Sequence, residues 1–184
     1  VEITGDFAGC APRNLSFGCN ISGAGGNVTY SWSSGTGDVS VLATPTFSYI
    51  NAGHYTLSVT VTSGGQTATD SKEVVIFRGP TANFDDTPRI GCVPYDFVSQ
   101  SLSTQGDAPI TAYHWFYNDG YSSTEESSTH TYQSSGVYPI SLEITDANGC
   151  VSNKTSQQVL TLSKNPTVSI TAHDAQWCTA PHEV

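Results

Sequence analysis

Apolar and polar residues alternate along several short stretches of the chain. The clearest is 55–62, in which every second residue is apolar and the others are threonine or serine, and 137–145 repeats the pattern. A period of two puts alternate side chains on opposite faces of a strand, so both stretches predict half-buried strands of antiparallel sheets. Turn-forming residues follow at 63–66 and 146–149 and predict hairpins. No stretch keeps a 3.6-residue period, and the predicted fold class is all-β.

The pattern occurs twice, 83 residues apart: Trp32, Tyr49, Gly53, Tyr55 and Leu57 recur as Trp115, Tyr132, Gly136, Tyr138 and Ile140. This period suits a small β-domain. About seven short strands per repeat, separated by Gly, Pro, Asn and Ser clusters, predict tandem immunoglobulin-like β-sandwiches. At these positions we expect core residues, namely Trp32, Trp115, Tyr55 and Tyr138; a tryptophan would be a ligand platform only if it were exposed.

The predicted domains are residues 1–78, residues 79–163 and, as the start of a third, truncated repeat, residues 164–184. The boundaries fall at Arg78–Pro80 and Ser163–Pro166, where proline stops the strand pattern. A cysteine followed by proline opens each repeat, at Cys10, Cys92 and Cys178. The chain is therefore interpreted as a segment of a longer polypeptide. Its short linkers predict a semi-rigid rod, in which the neighbouring repeats are each other's partners.

Composition narrows the choice of function. The net charge is −10, from 6 Lys and Arg against 16 Asp and Glu, which disfavours nucleic acid and anionic membranes as partners. No apolar run reaches the length of a membrane span, so no membrane insertion is expected. Five cysteines without a C-x-x-C motif favour disulfides over zinc and an extracellular or cell-surface location.

The second repeat closely resembles a PKD (polycystic kidney disease) domain. The motifs that carry the resemblance are Trp115–Gly120 (W-F-Y-N-D-G), Thr129–Tyr132, Gly136–Tyr138 and Ile144–Cys150. The first repeat keeps Trp32 and the Gly53–Tyr55 element, but its aspartate loop has degenerated to Ser33–Asp38. The resemblance implies an immunoglobulin-like sandwich that acts as an extracellular spacer or binding module, with no family-wide catalytic residues or cofactor. In style the repeats look most like those of large Bacteroidetes surface proteins, including gliding adhesins.

The cysteines predict two disulfides, each within one repeat. Cys92 precedes an early strand and Cys150 closes the late hairpin, so this pair would join the ends of the second repeat. Thr67 stands where Cys150 would align in the first repeat, and Cys10 is therefore predicted to bond Cys19. The alternatives are free thiols at both pairs, with Cys19 as a small buried apolar residue. Cys178 is predicted to be unpaired in this segment.

Few residues indicate a ligand. Calcium at a domain junction is one hypothesis for the loop acids, and turn capping is the favoured one, because no spaced acidic loop is present; the acids are Asp38, Asp85, Asp86 and Asp119. No nucleophile, base and orienting group can be nominated from spacing, so no enzyme activity is expected. Four N-x-Ser/Thr sequons begin at Asn14, Asn20, Asn27 and Asn153.

Three functional hypotheses are consistent with these observations. The main hypothesis is a non-catalytic stalk or interaction module of a large surface adhesin or filament, with polysaccharide or protein ligands. The second is an accessory substrate-binding module of a secreted protease or glycanase, which predicts exposed aromatics in a row, with Tyr117, Tyr121 and Trp177 as candidates. The third is a receptor ectodomain, which predicts glycans on the sequons.

Overall fold

The computed structural model describes residues 1–170, except for the side chain of Gln158. These residues form two consecutive β-sandwiches, called unit 1 (1–78) and unit 2 (79–163), and they include no helix, so none that could cross a membrane. The all-β prediction is confirmed. Residues 171–184, with Trp177 and Cys178, lie outside the described part, as does most of the predicted third repeat.

Eight strands build unit 1: β1 (Glu2–Gly5), β2 (Ala8–Cys10), β3 (Arg13–Asn20), β4 (Val28–Ser33), β5 (Val39–Ser40), β6 (Thr46–Tyr49), β7 (Gly53–Ser63) and β8 (Gln66–Phe77). Seven build unit 2: β9 (Arg89–Cys92), β10 (Tyr95–Gln100), β11 (Ile110–Phe116), β12 (Ser122–Ser123), β13 (Ser127–Tyr132), β14 (Gly136–Asp146) and β15 (Val151–Ser163).

The two units have matching sheets. One sheet runs β2-β8-β7-β4-β5 in unit 1 and β9-β15-β14-β11-β12 in unit 2. The facing sheet is β1-β3-β6 in unit 1 and β10-β13 in unit 2, where isolated bridges from Thr81 to Thr104 and from Phe84 to Ser101 stand in place of β1. In both units the short strand that carries the first cysteine pairs in parallel with the end of the last strand.

Each core lies between the two sheets, where the alternating apolar residues meet. Trp32 is 1% exposed and Trp115 is fully buried, while Tyr138 is 8% exposed. Tyr55, expected in the core, is only partly buried and packs against its edge. Both tryptophans donate their indole N–H to a backbone carbonyl ten residues later, of Leu42 and Glu125. Burying the whole ring therefore leaves no indole donor unpaired.

The predicted disulfide pairs are wrong: Cys10 is bonded to Cys150, and within residues 1–170 Cys19 and Cys92 are free. Cys92 pairs with Ser163 at the end of β15, whereas Cys150 directly precedes the start of that strand. A 13-residue strand separates the two cysteines by about 40 Å, far beyond the ~7 Å that a disulfide can span between Cα atoms.

Strand length also keeps Cys10 from Cys19. Cys10 precedes β3, and Cys19 lies at the far end of that strand, opposite Ile3. The run of β3 between them separates the pair by about 20 Å. The number of residues between two cysteines does not show at which end of a strand each of them lies, and the prediction rested on that number.

Candidate functional site at the junction between the units

Cys10 lies at the edge of unit 1 that faces unit 2. β2 pairs in parallel with the last residues of β8, and Cys10 is opposite Phe77, one residue before the linker begins. The next backbone N–H, of Ala11, donates to the carbonyl of Phe77 at 2.9 Å. The opening cysteine is thereby fixed beside the exit of its own unit.

Cys150 is presented by the turn between β14 and β15. The Asp146 carboxylate accepts hydrogen bonds from the backbone N–H groups of Asn148, at 2.9 Å, and Cys150, at 2.8 Å. The backbone closes the same turn, because Asp146 N–H donates to the Cys150 carbonyl at 3.0 Å. Asp146 is 2% exposed, and its second carboxylate oxygen has no hydrogen-bond partner among the described residues. This acid therefore holds the cysteine in place.

The Cys10–Cys150 bond, called the junction disulfide below, joins the two units covalently. Its Cα atoms are 5.6 Å apart, and 140 positions separate the two residues in sequence. Cys150 is 1% exposed. Within residues 1–170 the peptide linker is the only other covalent connection between the units, so the disulfide gives them a second point of attachment.

Backbone packing surrounds the disulfide. Gly79 of the linker lies against it, since a Cβ added there would be 3.2 Å from the Cβ of Cys150. The 104–107 loop of unit 2 rests directly on the linker, because a Cβ on Gly106 would overlap the carbonyl oxygen of Arg78. Only glycine allows this approach.

An ion pair and backbone hydrogen bonds join the same loop to the linker. The Asp107 carboxylate accepts from the backbone N–H of Arg78 at 2.7 Å, and Asp107 N–H donates to the Arg78 carbonyl at 2.9 Å. The Arg78 guanidinium is 3.4 Å from the same carboxylate. Gly106 and Asp107 were not predicted from the sequence, and Asp146 was predicted only as a turn and motif residue, not as the acid that fixes Cys150. The signal available was that a short linker brings the last residues of one unit close to the loops of the next.

A cluster of stacked rings and one acid lies on unit 2, after the core tryptophan. The His130 ring stacks on Tyr117 and on Tyr121, with ring centres 4.7 Å away in both cases, and its Nε2 is 2.6 Å from an Asp119 carboxylate oxygen. Tyr117 is fully buried, whereas Tyr121 is 55% exposed. The row of exposed aromatics is therefore wrong for Tyr117, and Trp177 lies outside the described residues.

The acids considered for calcium are dispersed and already paired. Asp119 is paired with His130, Asp86 with Lys154, and Asp38 accepts from the Thr36 hydroxyl. Hydrogen bonds from the Thr87 side chain and backbone, and then from Arg89, lower the pKa of Asp85 to about 2. Residues 1–170 contain no group of three or more His, Cys, Asp or Glu side chains placed to hold a metal ion.

The surface also carries a groove, the four sequons and a group of exposed apolar residues. A groove of about 240 Å³ on unit 2 has Phe84, Phe97 and Trp115 among its lining residues, with the Asp85–Arg89 pair also among them. All four sequon asparagines are exposed. Unit 1 exposes Val39 of β5 and, directly after that strand, Val41 and Leu42.

Two family models match the chain. Both are described as PKD domain, one over residues 1–76 and the other over residues 78–162. The chain belongs to the PKD domain family. It is a tandem of two PKD units, and the first match ends and the second begins within two residues of Arg78, in the linker that carries the junction contacts.

Curated relatives are proteases. The pre-pro-metalloprotease PrtV of Vibrio cholerae is 27% identical over 131 residues, which is 71% of this chain and 14% of that protein. The collagenase ColA of Clostridium perfringens is 36% identical over 64 residues, 35% of this chain and 6% of that protein. A microbial collagenase of Vibrio alginolyticus is 36% identical over 62 residues, 34% of this chain and 8% of that protein. The chain thus spans a small part of each relative's length.

A solved structure is similar at the level of one unit. The PKD1 domain of the Vibrio cholerae metalloprotease PrtV is 28% identical, with a TM-score of 0.38, covering 42% of this chain and 91% of that domain. The relatives named here come from Vibrio and Clostridium, and the resemblance to Bacteroidetes adhesins stays a prediction.

Proposed function

We propose that this tandem is a non-catalytic spacer of a secreted protease, which holds the parts on either side of it at a fixed separation and orientation. The observation that carries the proposal is the junction disulfide between Cys10 and Cys150. A three-residue linker with proline restricts hinge motion, but a single connection still leaves some bending and twisting about one point. A second covalent connection beside it removes most of that freedom.

The relatives support the protease assignment. Three proteins with related PKD units are named a metalloprotease or a collagenase, and in each the matched region is a small fraction of the whole. A small accessory module beside a catalytic domain would match only such a small fraction of a protease. A disulfide also suits an oxidising, extracellular environment, in agreement with a secreted protein.

A stalk in a surface adhesin or filament is the second candidate, and the same disulfide favours it. A covalent bond between consecutive units transmits tension without relying on a flexible linker. The protease assignment is preferred because the named relatives are proteases, whereas the adhesin assignment rests only on the resemblance of the repeat motifs.

The peptide map of the parent polypeptide, isolated from its source, separates the two candidates. We expect peptides of a metalloprotease catalytic domain in the same chain as residues 1–184. A chain made almost entirely of PKD-type units, with no catalytic domain, would contradict the protease assignment and support the stalk.

Small-angle X-ray scattering tests the spacer role itself. We expect the wild-type chain to give a single, narrow distribution of inter-unit distances, and a variant with Cys10→Ser and Cys150→Ser to give a broader one with a larger radius of gyration. The matched control is Cys19→Ser, which removes a free cysteine of unit 1 and should leave the scattering curve unchanged. Identical curves for wild type and the double variant would contradict the spacer role.

A further inference from the structure

Cys92 has in unit 2 the place that Cys10 has in unit 1. Cys92 is opposite Ser163 at the end of β15, as Cys10 is opposite Phe77 at the end of β8. The residue after each cysteine donates its backbone N–H to the carbonyl of that partner, Val93 to Ser163 at 3.0 Å and Ala11 to Phe77 at 2.9 Å. Each cysteine is therefore fixed beside the exit of its own unit.

Their bonding differs. Cys10 is bonded to the cysteine that precedes the last strand of the next unit, whereas Cys92 is exposed and, in the part of the chain that the structure describes, is a free thiol. Within residues 1–170 no unit follows unit 2 that could supply such a cysteine. The register of β7 with β8 places Gln66 of unit 1 where unit 2 has Cys150, one residue from the aligned Thr67. Unit 1 therefore offers Cys92 no equivalent partner.

A separate observation indicates what belongs beside Cys92. The segment Pro166–Ile170 (P-T-V-S-I) repeats Pro80–Phe84 (P-T-A-N-F), the segment that opens unit 2. Ala82 and Phe84 are core residues, 7% and 3% exposed, but their counterparts Val168 and Ile170 are 84% and 90% exposed. Two apolar residues thus stand at core positions of a unit whose sheets are absent from the described residues.

We propose that Cys92 is a covalent docking site for a following PKD-type unit, whose last hairpin carries a cysteine at the position of Cys150. The junction disulfide would then be one step of a ladder, in which the opening cysteine of each unit bonds the hairpin cysteine of the next. The proposal does not depend on whether the parent protein is a protease or a stalk.

The chemistry is an ordinary two-electron oxidation. The Sγ of Cys92 and the Sγ of the incoming cysteine form one S–S bond, and both thiols lose their protons. A disulfide oxidant such as oxidised glutathione accepts the two electrons and is released as two thiols that carry those protons. Linkage within one chain is favoured, because a short tether gives an effective concentration in the mM range, far above that of separate chains at µM concentration.

An extended chain tests the proposal. Residues 1–165 would be followed by a second copy of residues 80–165, because Lys164–Pro166 corresponds to Arg78–Pro80. In the second copy Cys92→Ser marks its peptides by mass and removes a competing thiol. The chain is oxidised in glutathione buffer, alkylated and digested with trypsin without reduction.

We expect one linked species of three peptides: residues 1–13, residues 90–154 and the copied 90–154, with near-complete loss of Cys92 alkylation. The matched control is Cys92→Ala in the first copy, which should leave the hairpin cysteine of the second copy alkylated. Alkylation of both cysteines in the unsubstituted extended chain would overturn the proposal. A disulfide between Cys92 residues of two chains, or glutathione retained on Cys92, would also overturn it.

The chain of residues 1–184 provides a second measurement that does not depend on the folding of the extension. Cys92 should react with iodoacetamide under native conditions, at a rate close to that of the fully unfolded chain. Cys92 found in a disulfide with Cys19 or Cys178, or protected from the reagent until the chain unfolds, would overturn the proposal.

Discussion

Units 1 and 2 have the same loop backbone after the core tryptophan but fill it with different side chains. Ser34 N–H donates to the Asp38 carbonyl at 3.0 Å, and Tyr117 N–H donates to the Tyr121 carbonyl at 3.2 Å. Positive φ angles recur as well, at Gly35 (81°) and Asn118 (60°). The loop described as degenerated from its sequence has therefore kept its conformation.

A buried tyrosine explains why the backbone persists. The Tyr49 hydroxyl donates to the carbonyl of Ser34 at 3.2 Å, and the Tyr132 hydroxyl donates to the carbonyl of Tyr117 at 2.9 Å. In unit 2 the space is filled by Tyr117 and by His130, and unit 1 has Ser34 and Phe47 at those positions. In both units, therefore, the buried tyrosine and tryptophan make the same hydrogen bonds, while the side chains of the loop differ.

The largest expected effect comes from the core tryptophans. Trp115→Ala removes a fully buried ring and its hydrogen bond, which should lower the free energy of unfolding of unit 2 by about 3–5 kcal/mol. Trp32→Ala should do the same to unit 1. Hydrogen exchange read by peptide mass spectrometry should show protection lost in the substituted unit and kept in the other. Equal loss in both units would show that they unfold as one and would contradict the two-unit account.

The junction should respond to Gly106→Ala. The added methyl would meet the backbone of Arg78 and Gly79, so the 104–107 loop must move away from the linker, at a cost of about 1–3 kcal/mol. Gly25→Ala is the control, because no atom lies within 4 Å of its added Cβ. We expect a broader inter-unit distance distribution in X-ray scattering for the first variant alone. The junction contacts would be refuted if the Gly106 variant scattered like wild type.

The third prediction compares the loss of stability when one acid is removed from the loop of each unit. Asp119→Ala removes the partly buried acid that binds His130, and urea unfolding should show unit 2 destabilised by about 1.5 kcal/mol. Asp38→Ala is the comparison in unit 1, where Thr36 stands at the position of Asp119 and Asp38 is the acid of the same loop. Asp38 accepts from the exposed Thr36 hydroxyl, and the effect of its removal should stay within about 0.5 kcal/mol. Similar losses for the two variants would mean that the Asp119–His130 pair adds nothing to unit 2.

The smallest effect is a dependence on alkaline pH. Burial, then Tyr55 and Asp38, raises the pKa of Tyr49 from 10.0 to about 12; burial, then Asp119 and Tyr117, raises the pKa of Tyr132 as well. The unfolded chain loses these protons first, so stability is complete below about pH 10 and falls as pH rises towards the folded-state pKa. Urea unfolding at several values between about pH 8 and pH 11 should show the decline. Tyr49→Phe should flatten it for unit 1; an unchanged slope would refute the tyrosine as its source.

Much of the fold could be predicted because it depends on local patterns. The two-residue alternation locates β7 and β14, and the repeat of Trp32 and Trp115 identifies the two cores. The disulfide could not be predicted from sequence spacing. The opening cysteine of each unit lies beside the end of that unit's last strand, and only the folded structure shows this position. Because β2 pairs in parallel with the end of β8, Cys10 lies next to the linker, where it bonds Cys150 of unit 2. Likewise, Asp107 and Gly106 acquire their role only when the linker folds against them.

The most direct test of the junction is a tryptic map of the unreduced protein. Cys10 lies in peptide 1–13, Cys19 in 14–72, and both Cys92 and Cys150 in 90–154. Peptide 1–13 should be linked to peptide 90–154, and a second cleavage after Glu125, Glu126 and Glu143 should leave the bond on the fragment with Cys150 and release the fragment with Cys92 unlinked. A closed ring within 90–154, or a link between 1–13 and 14–72, would contradict the junction disulfide and the rigid spacer that depends on it.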